Sequence, residues 1–266
     1  MKCFLRYSIL VSMAVISQSI FAYTFESGGI YYNIYSNESK ILEVTYGVPD
    51  YWQERTDYVG DITIPATVNY QGTDYTVGYI GRNAFTYCLQ LTSIILPSTI
   101  LSIENWAFCN CYGLVSVTIP DGCKEIGYKA FCKCESLISI VIPNSVTIIG
   151  EDAFRGCSSL REAVLPNQLS SISNTTFRFC TSLLSITIPK SVKSINLEAF
   201  LDCRCLREVR METDTPPTIK YNSFTTYYPA WHYTIFPMTL YVPKGSAENY
   251  RKTENWDKFS KIIEMP

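Results

Sequence analysis

Residues 103–120 read IENWAFCNCYGLVSVTIP, and residues 126–143 repeat the same frame as IGYKAFCKCESLISIVIP. Four positions of this frame recur every 23 residues: Phe85, Phe108, Phe131, Phe154, Phe177 and Phe200; Cys88, Cys111, Cys134, Cys157, Cys180 and Cys203; Leu91, Leu114, Leu137, Leu160, Leu183 and Leu206; Pro97, Pro120, Pro143, Pro166 and Pro189, with Glu212 at the sixth proline position. Four columns in register over six units predict a solenoid, in which each coil buries its apolar side against its neighbours.

Each unit predicts one strand and one return segment. In the first unit Leu91, Ile94 and Leu96 should face the core, while Ser93 and Ile95 face outward. Proline then ends the ladder because it has no N–H to donate. Ile103 and its equivalents begin the return side, where the pattern A-F-x-x-C predicts a short helical turn. We predict a right-handed, mainly β solenoid with strands at 92–96, 115–119, 138–142, 161–165, 184–188 and 207–211.

The flanks of the repeats predict caps, which a solenoid needs at both ends. We divide the chain into an export signal (1–22), an N-terminal β cap (23–58), a degenerate first coil (59–79), six regular repeats (80–212), and a degenerate last coil with a C-terminal cap (213–266). The first coil carries nine extra residues, for which Val68–Val77 predicts an inserted hairpin. The last coil carries seven, around Tyr227–Tyr233.

The unit I-G-x-x-A-F-x-x-C-x-x-L-x-S-I-x-L/I-P resembles the BspA-like leucine-rich repeats of bacterial secreted and surface proteins. The resemblance is close over residues 80–212 and looser in the flanks. It departs at Glu104, Ser173 and Asn196, where glycine is usual, and at Thr176, where alanine is usual. The resemblance implies a leucine-rich-repeat fold and adhesion to extracellular proteins.

Composition and the N-terminus indicate an exported binding protein. Lys2 and Arg6, the apolar run Ile9–Ile16 and the small residue Ala22 are typical of a signal peptide cleaved near Ala22. The apolar run is too short for a transmembrane helix. Without residues 1–22 the 22 basic residues fall to 20 against 24 acidic ones, a net charge of −4. No basic stripe is visible, so nucleic acid is excluded as a partner.

Eight of the eleven cysteines fall into two groups. Six occupy the repeated column, where cysteine packs as a small apolar residue, and we predict that they stay reduced. Cys109 and Cys132 lie in a second column, with Thr86, Arg155, Arg178 and Leu201, that we expect to be exposed. Because they are one coil apart, their Cα atoms should be about 5 Å apart, so they are our single candidate disulfide. Zinc needs four converging thiolates, and this pattern does not supply them.

The sequence contains little that could support catalysis. His232 is the single histidine, no serine lies in a Gly-x-Ser-x-Gly elbow, and no phosphate-binding glycine loop appears. We predict no enzyme activity, no cofactor and no metal.

The outward positions supply the candidate binding residues. The early coils show Ser and β-branched residues, which also simply suit a strand, whereas later coils gain charge. Loops carried on a rigid scaffold commonly bind ligands. We therefore predict a contact with an extracellular or host protein formed by Arg161, Glu162, Arg207, Glu208, Arg210, Tyr227, Tyr228, Trp231 and Tyr233. The alternative is a glycan stacked on the aromatic residues of the cap loop, although the sequence favours packing of these rings into the cap.

Overall fold

The fold is described by a computed structural model for residues 23–47, 57–220, 222–226 and 236–266. The export signal, part of the N-terminal cap and the aromatic loop residues Tyr227, Tyr228, Trp231 and Tyr233 lie outside the described residues. Within them, no helix is long and apolar enough to cross a membrane.

Each coil contributes one strand to a long parallel sheet, because its alternating side chains bury one face only. These strands are β4 (Gly60–Thr63), β7 (Leu91–Ile95), β9 (Ser116–Thr118), β11 (Ser139–Val141), β13 (Glu162–Val164), β15 (Ser185–Ile188), β17 (Glu208–Met211), β19 (Phe236–Val242) and β20 (Phe259–Glu264). The sheet has three hydrogen-bonded sections, namely β4-β7-β9, β11-β13 and β15-β17-β19-β20. Equivalent residues pair across coils, for example Ser93 with Ser116 and Ser139 with Glu162. The positions agree with the predicted strands, although β9, β11 and β13 have only three residues.

A second set of short parallel strands forms where the return side begins. It comprises β8 (Ser102–Ile103), β10 (Glu125–Ile126), β12 (Ile148–Ile149), β14 (Ser171–Ile172), β16 (Ser194–Ile195) and β18 (Thr218–Ile219). The two sets enclose the core between them. The structure therefore confirms the mainly β repeat solenoid.

The phenylalanine column forms one continuous stack along the core. Successive rings from Phe85 to Phe224 are 4.9–5.4 Å apart between centroids and within 6° of parallel. Tyr58 closes the stack at one end, 4.5 Å from Phe85. At the other end Phe224 packs against Phe236, Trp256 and Phe259. The regular ring spacing explains why Phe recurs without exception: each ring is packed by the rings of its two neighbours.

Different elements cover the two ends. At the N-terminus β1 (Phe25–Ser27), β2 (Ile30–Ser36) and β3 (Ile41–Thr45) pair antiparallel, and β3 joins β6 (Thr73–Ile80). The strands β5 (Thr67–Tyr70) and β6 form an antiparallel hairpin over the stretch predicted to be one. At the C-terminus the helix α1 (Ala247–Lys252) and the 3-10 turn Trp256–Lys258 precede the edge strand β20.

The return segments differ from the predicted helical turn. Each contains two residues in the left-handed conformation, four positions apart, such as Trp106 (φ 57°) and Asn110 (φ 61°), and of these only Gly156 is a glycine. Because of these left-handed residues, the N–H groups of Trp106, Phe108 and Asn110 donate to carbonyl groups of the next coil rather than within a helix. The prediction was wrong because hydrogen bonds between coils stabilise a conformation that the local sequence does not favour.

Candidate binding surfaces

The solvent-facing side of the long sheet carries an apolar ladder, which we call the strand face. Ser and Thr residues alternate there with exposed large apolar side chains, which are 41–64% accessible: Ile95, Val115, Ile138, Val141, Val164 and Leu184. The ladder is built by the repeat itself, because strand periodicity buries Leu114, Val117 and Ile119 and leaves the residues between them outside. Large apolar side chains exposed on successive coils are typical of an interaction surface.

The structure places the predicted charged residues on the strand face, but on coils that are not adjacent. Arg161 and Glu162 are exposed on the coil of β13, and Arg207 is exposed two coils further on, beside β17. Glu208 and Arg210 are instead engaged with each other, at 2.6 Å between carboxylate oxygen and guanidinium nitrogen. The Arg210 guanidinium also lies 4.5 Å above the ring of Tyr241. Of this charged set, Arg161, Glu162 and Arg207 are therefore the more accessible to a partner.

The return segments form a second surface that the sequence did not reveal. A cleft of about 990 Å³ runs across the first four coils and ends against the β2–β3 hairpin. Its more deeply buried residues include Thr86, Cys109 and Cys132, which lie between the two left-handed positions of their coils. We call this surface the cleft. The residues that line it are Asn33, Glu43, Thr45, Tyr46, Arg82, Asn83, Thr86, Tyr87, Trp106, Cys109, Asn110, Lys129, Cys132, Lys133 and Arg155.

The column of Cys109 and Cys132 is not exposed, contrary to expectation. Both cysteines are only 6% accessible, and Thr86 and Leu201 are buried as well. The left-handed positions on either side, held by Trp106 and Lys129 and by Asn110 and Lys133, flank these side chains and cover them. The column therefore lies below the surface of the cleft.

Cys109 and Cys132 are free thiols whose side chains share a hydrogen bond. This bond and then burial raise the pKa of Cys109, whereas the same bond lowers the pKa of Cys132. Arg155 and Lys129 also favour the Cys132 thiolate. The disulfide between Cys109 and Cys132 remains a prediction. A disulfide requires that the two side chains be neighbours, and the shared hydrogen bond places them so.

The repeated cysteines have a role that the sequence did not show. The thiol groups of Cys111, Cys134, Cys157, Cys180 and Cys203 each donate to the carbonyl of the phenylalanine in the preceding coil, at 2.9–3.2 Å between sulfur and oxygen. Burial raises the pKa of the Cys157 thiol. Among the described residues, no group of three or more His, Cys, Asp or Glu side chains could hold a metal.

Comparison with known proteins places this architecture in a family. The BspA-type leucine-rich-repeat region matches in six copies over residues 78–235. The chain therefore belongs to the BspA-type leucine-rich-repeat proteins, a fold that serves as a binding scaffold and is typically not enzymatic. No functionally curated protein matches it.

Two solved structures are similar over most of the chain. The T. pallidum leucine-rich-repeat protein TpLRR is 26% identical, with a TM-score of 0.68, over 90% of this chain and 99% of that one. A leucine-rich-repeat protein from Bacteroides ovatus is 25% identical, with a TM-score of 0.55, over 91% of this chain and 71% of that one.

Proposed function

We propose that this chain is a secreted or cell-surface adhesion protein that binds an extracellular protein through its strand face. The observation that carries the proposal is the exposed apolar ladder on a rigid parallel sheet. Six large apolar side chains face water there, on the side of the strands away from the core, where a partner could bury them. The export signal expected at residues 1–22 supports an extracellular location.

The area of the strand face bears on the strength of binding. Six strands about 4.8 Å apart and roughly 13 Å wide give about 380 Å², and including β4, β19 and β20 raises this to about 560 Å². A standard interface takes about 800 Å² per partner. A single contact should therefore be weak, and several copies on one surface would bind through multivalency, as suits adhesion.

Two isoleucines of nearly equal exposure allow a matched test. Ile138 is 49% accessible on the strand face, and Ile148 is 52% accessible on the return strand β12. We expect Ile138→Glu to weaken binding to immobilised extracellular-matrix proteins at least tenfold, about 1.4 kcal/mol. Ile148→Glu should leave binding unchanged. Equal binding by both variants and the unmodified chain would place the contact elsewhere.

The aromatic loop is a further part of the proposed contact. Tyr227, Tyr228, Trp231 and Tyr233 lie outside the described residues, so their contribution is predicted from the sequence alone. Changing Tyr228→Ala together with Trp231→Ala should weaken matrix-protein binding at least tenfold, about 1.4 kcal/mol, with little change in melting temperature. If the double variant unfolds, these residues belong to the cap core. A glycan array run in parallel tests the alternative ligand for this loop.

A further inference from the structure

The cleft differs from the strand face in charge. Four cationic residues line it, namely Arg82, Lys129, Lys133 and Arg155, and the single acidic lining residue is Glu43. Burial raises the pKa of Glu43, which favours its neutral form. Asp152, just outside the cleft, lies 3.8 Å from the Lys129 ammonium and 3.5 Å from the Arg155 guanidinium. Even with both acids ionised, cations are in excess here, although the whole chain carries a net charge of −2.

Apart from Cys109 and Cys132, the remaining lining residues are polar or aromatic. Asn33, Asn83 and Asn110 contribute amide groups, and Tyr46, Tyr87 and Trp106 contribute rings. None of the described residues that line the cleft is Leu, Ile, Val or Met. A folded protein partner usually inserts apolar anchors into apolar pockets. This lining lacks the aliphatic surface for such anchors.

Amide groups, hydroxyl groups and aromatic rings together are the chemistry that recognises sugars. Amides and hydroxyls pair with sugar hydroxyls, and rings stack on the C–H faces of the sugar. Guanidinium and ammonium groups pair with carboxylates or sulfates. The volume of about 990 Å³ is at the upper end for a ligand pocket, enough for several sugar units.

We infer that the cleft binds an acidic oligosaccharide, a sugar chain that carries carboxylate or sulfate groups. The sugar rings lie against Tyr87, and their anionic groups meet Arg82 and Lys133. Arg82 is placed for this by its guanidinium, which lies 4.6 Å above the Trp106 ring. Lys133 is exposed at the rim, beside Gly156, where a Cβ atom would approach the Lys133 side chain to 3.3 Å. This site is separate from the strand face and its proposed protein partner.

The test uses three hexasaccharide probes and the mature chain. One probe alternates glucuronate with N-acetylgalactosamine, the second is the same chain carrying sulfate, and the third is a neutral hexamer of N-acetylglucosamine. Calorimetric titration should show that the acidic probes bind and that the neutral one binds at least tenfold more weakly. Binding of the first probe assigns carboxylate recognition, and binding of the second alone assigns sulfate recognition.

Two exposed lysines provide the matched variants. Lys133→Glu should weaken binding of the acidic probe at least tenfold. Lys190→Glu makes the same charge change outside the cleft and should alter this binding less than twofold. If both variants lost the same affinity for the acidic probe, the attraction would be a general effect of charge, and the proposed site would be wrong. The absence of binding by either acidic probe, or equal binding of the neutral hexamer or of hexaglutamate, would also overturn the site. Ile138→Glu, which tests the strand face, should leave saccharide binding unchanged, so the two proposals fail independently.

Discussion

At the scale of single residues, the core depends on side chains that each contact the coil before and the coil after their own. Phe131 is fully buried between Phe108 and Phe154, at 5.0 and 5.4 Å. Its carbonyl oxygen accepts a hydrogen bond from the thiol of Cys157. Cysteine fits this column because it is small and apolar and still donates a weak hydrogen bond. One phenylalanine and one cysteine per coil thus connect each coil to the next.

Truncating one ring of the stack should be costly. We expect Phe131→Ala to reduce the free energy of unfolding by about 3–5 kcal/mol, because it leaves a cavity between two rings. Val141→Ala in the same coil is the control; that side chain is 64% accessible, so the change should stay within about 0.5 kcal/mol. Urea unfolding measures both. A loss below about 1 kcal/mol for Phe131→Ala would show that the column is not core.

The cysteine pair of the cleft makes a chemical prediction. In the mature protein exposed to oxidised glutathione, we expect Cys109 and Cys132 to form a disulfide, transferring two electrons and two protons to the oxidant. The two thiols lie one coil apart and share a hydrogen bond, so the two sulfur atoms are neighbours. Mass spectrometry of the alkylated, unreduced protein should find the column cysteines as thiols. A disulfide at Cys157 or Cys180 would contradict the burial argument.

At the scale of elements, the sequence predicted the strands but not the return segments. Periodicity identified the buried positions, since Leu91, Ile94 and Leu96 must face the core in any such coil. The left-handed residues had no such signal. Their column holds Asn83, Trp106, Lys129, Asp152, Thr175 and Glu198, none of which is glycine. Hydrogen bonds to the next coil impose their conformation, and the cleft depends on that conformation. Residue types alone therefore predicted neither the left-handed residues nor the cleft.

Neighbouring coils approach each other closely at the repeat position where glycine is usual, which Gly127, Gly150 and Ser173 occupy in successive coils. A Cβ atom at Gly150 would lie 2.6 Å from the carbonyl carbon of Gly127 and from the amide nitrogen of Tyr128. We expect Gly150→Ala to destabilise the chain by about 1–3 kcal/mol in thermal or urea unfolding, because backbone must shift. Ser173→Ala is the comparison in the same column, losing only the hydrogen bond to the Ile149 carbonyl, about 1 kcal/mol. Equal small losses would mean that the coils separate easily.

At the scale of the whole molecule, the caps protect the ends of the core. Trp256 is fully buried, and its indole N–H donates to the Pro217 carbonyl at 2.7 Å. It packs against Tyr250 and Phe259 and covers Phe224, the last ring of the stack. The two proposed binding surfaces are formed by the strands and by the return segments of the same coils, so we expect that a protein and a saccharide can be held at the same time.

Removing the cap tryptophan should loosen one end first. We expect Trp256→Ala to cost about 3–5 kcal/mol and to raise amide hydrogen exchange most in β17, β19 and β20. Exchange in β7 and β9, at the far end, should change least, because a solenoid couples mainly neighbouring coils. Uniform acceleration along the chain would instead indicate a single cooperative unit.

The return segments also give the molecule a direction. In each regular coil, amide groups such as those of Phe108, Phe131 and Phe154 point toward the C-terminal end and meet carbonyls of the following coil. Along its return segments, an uncapped stack would therefore present acceptors at one end and donors at the other, and such ends are complementary to each other. Two copies could then join head to tail, and repetition of that contact builds a filament. On this view the caps act as polymerisation stops, and sedimentation of Trp256→Ala at rising concentration should reveal species larger than the monomer.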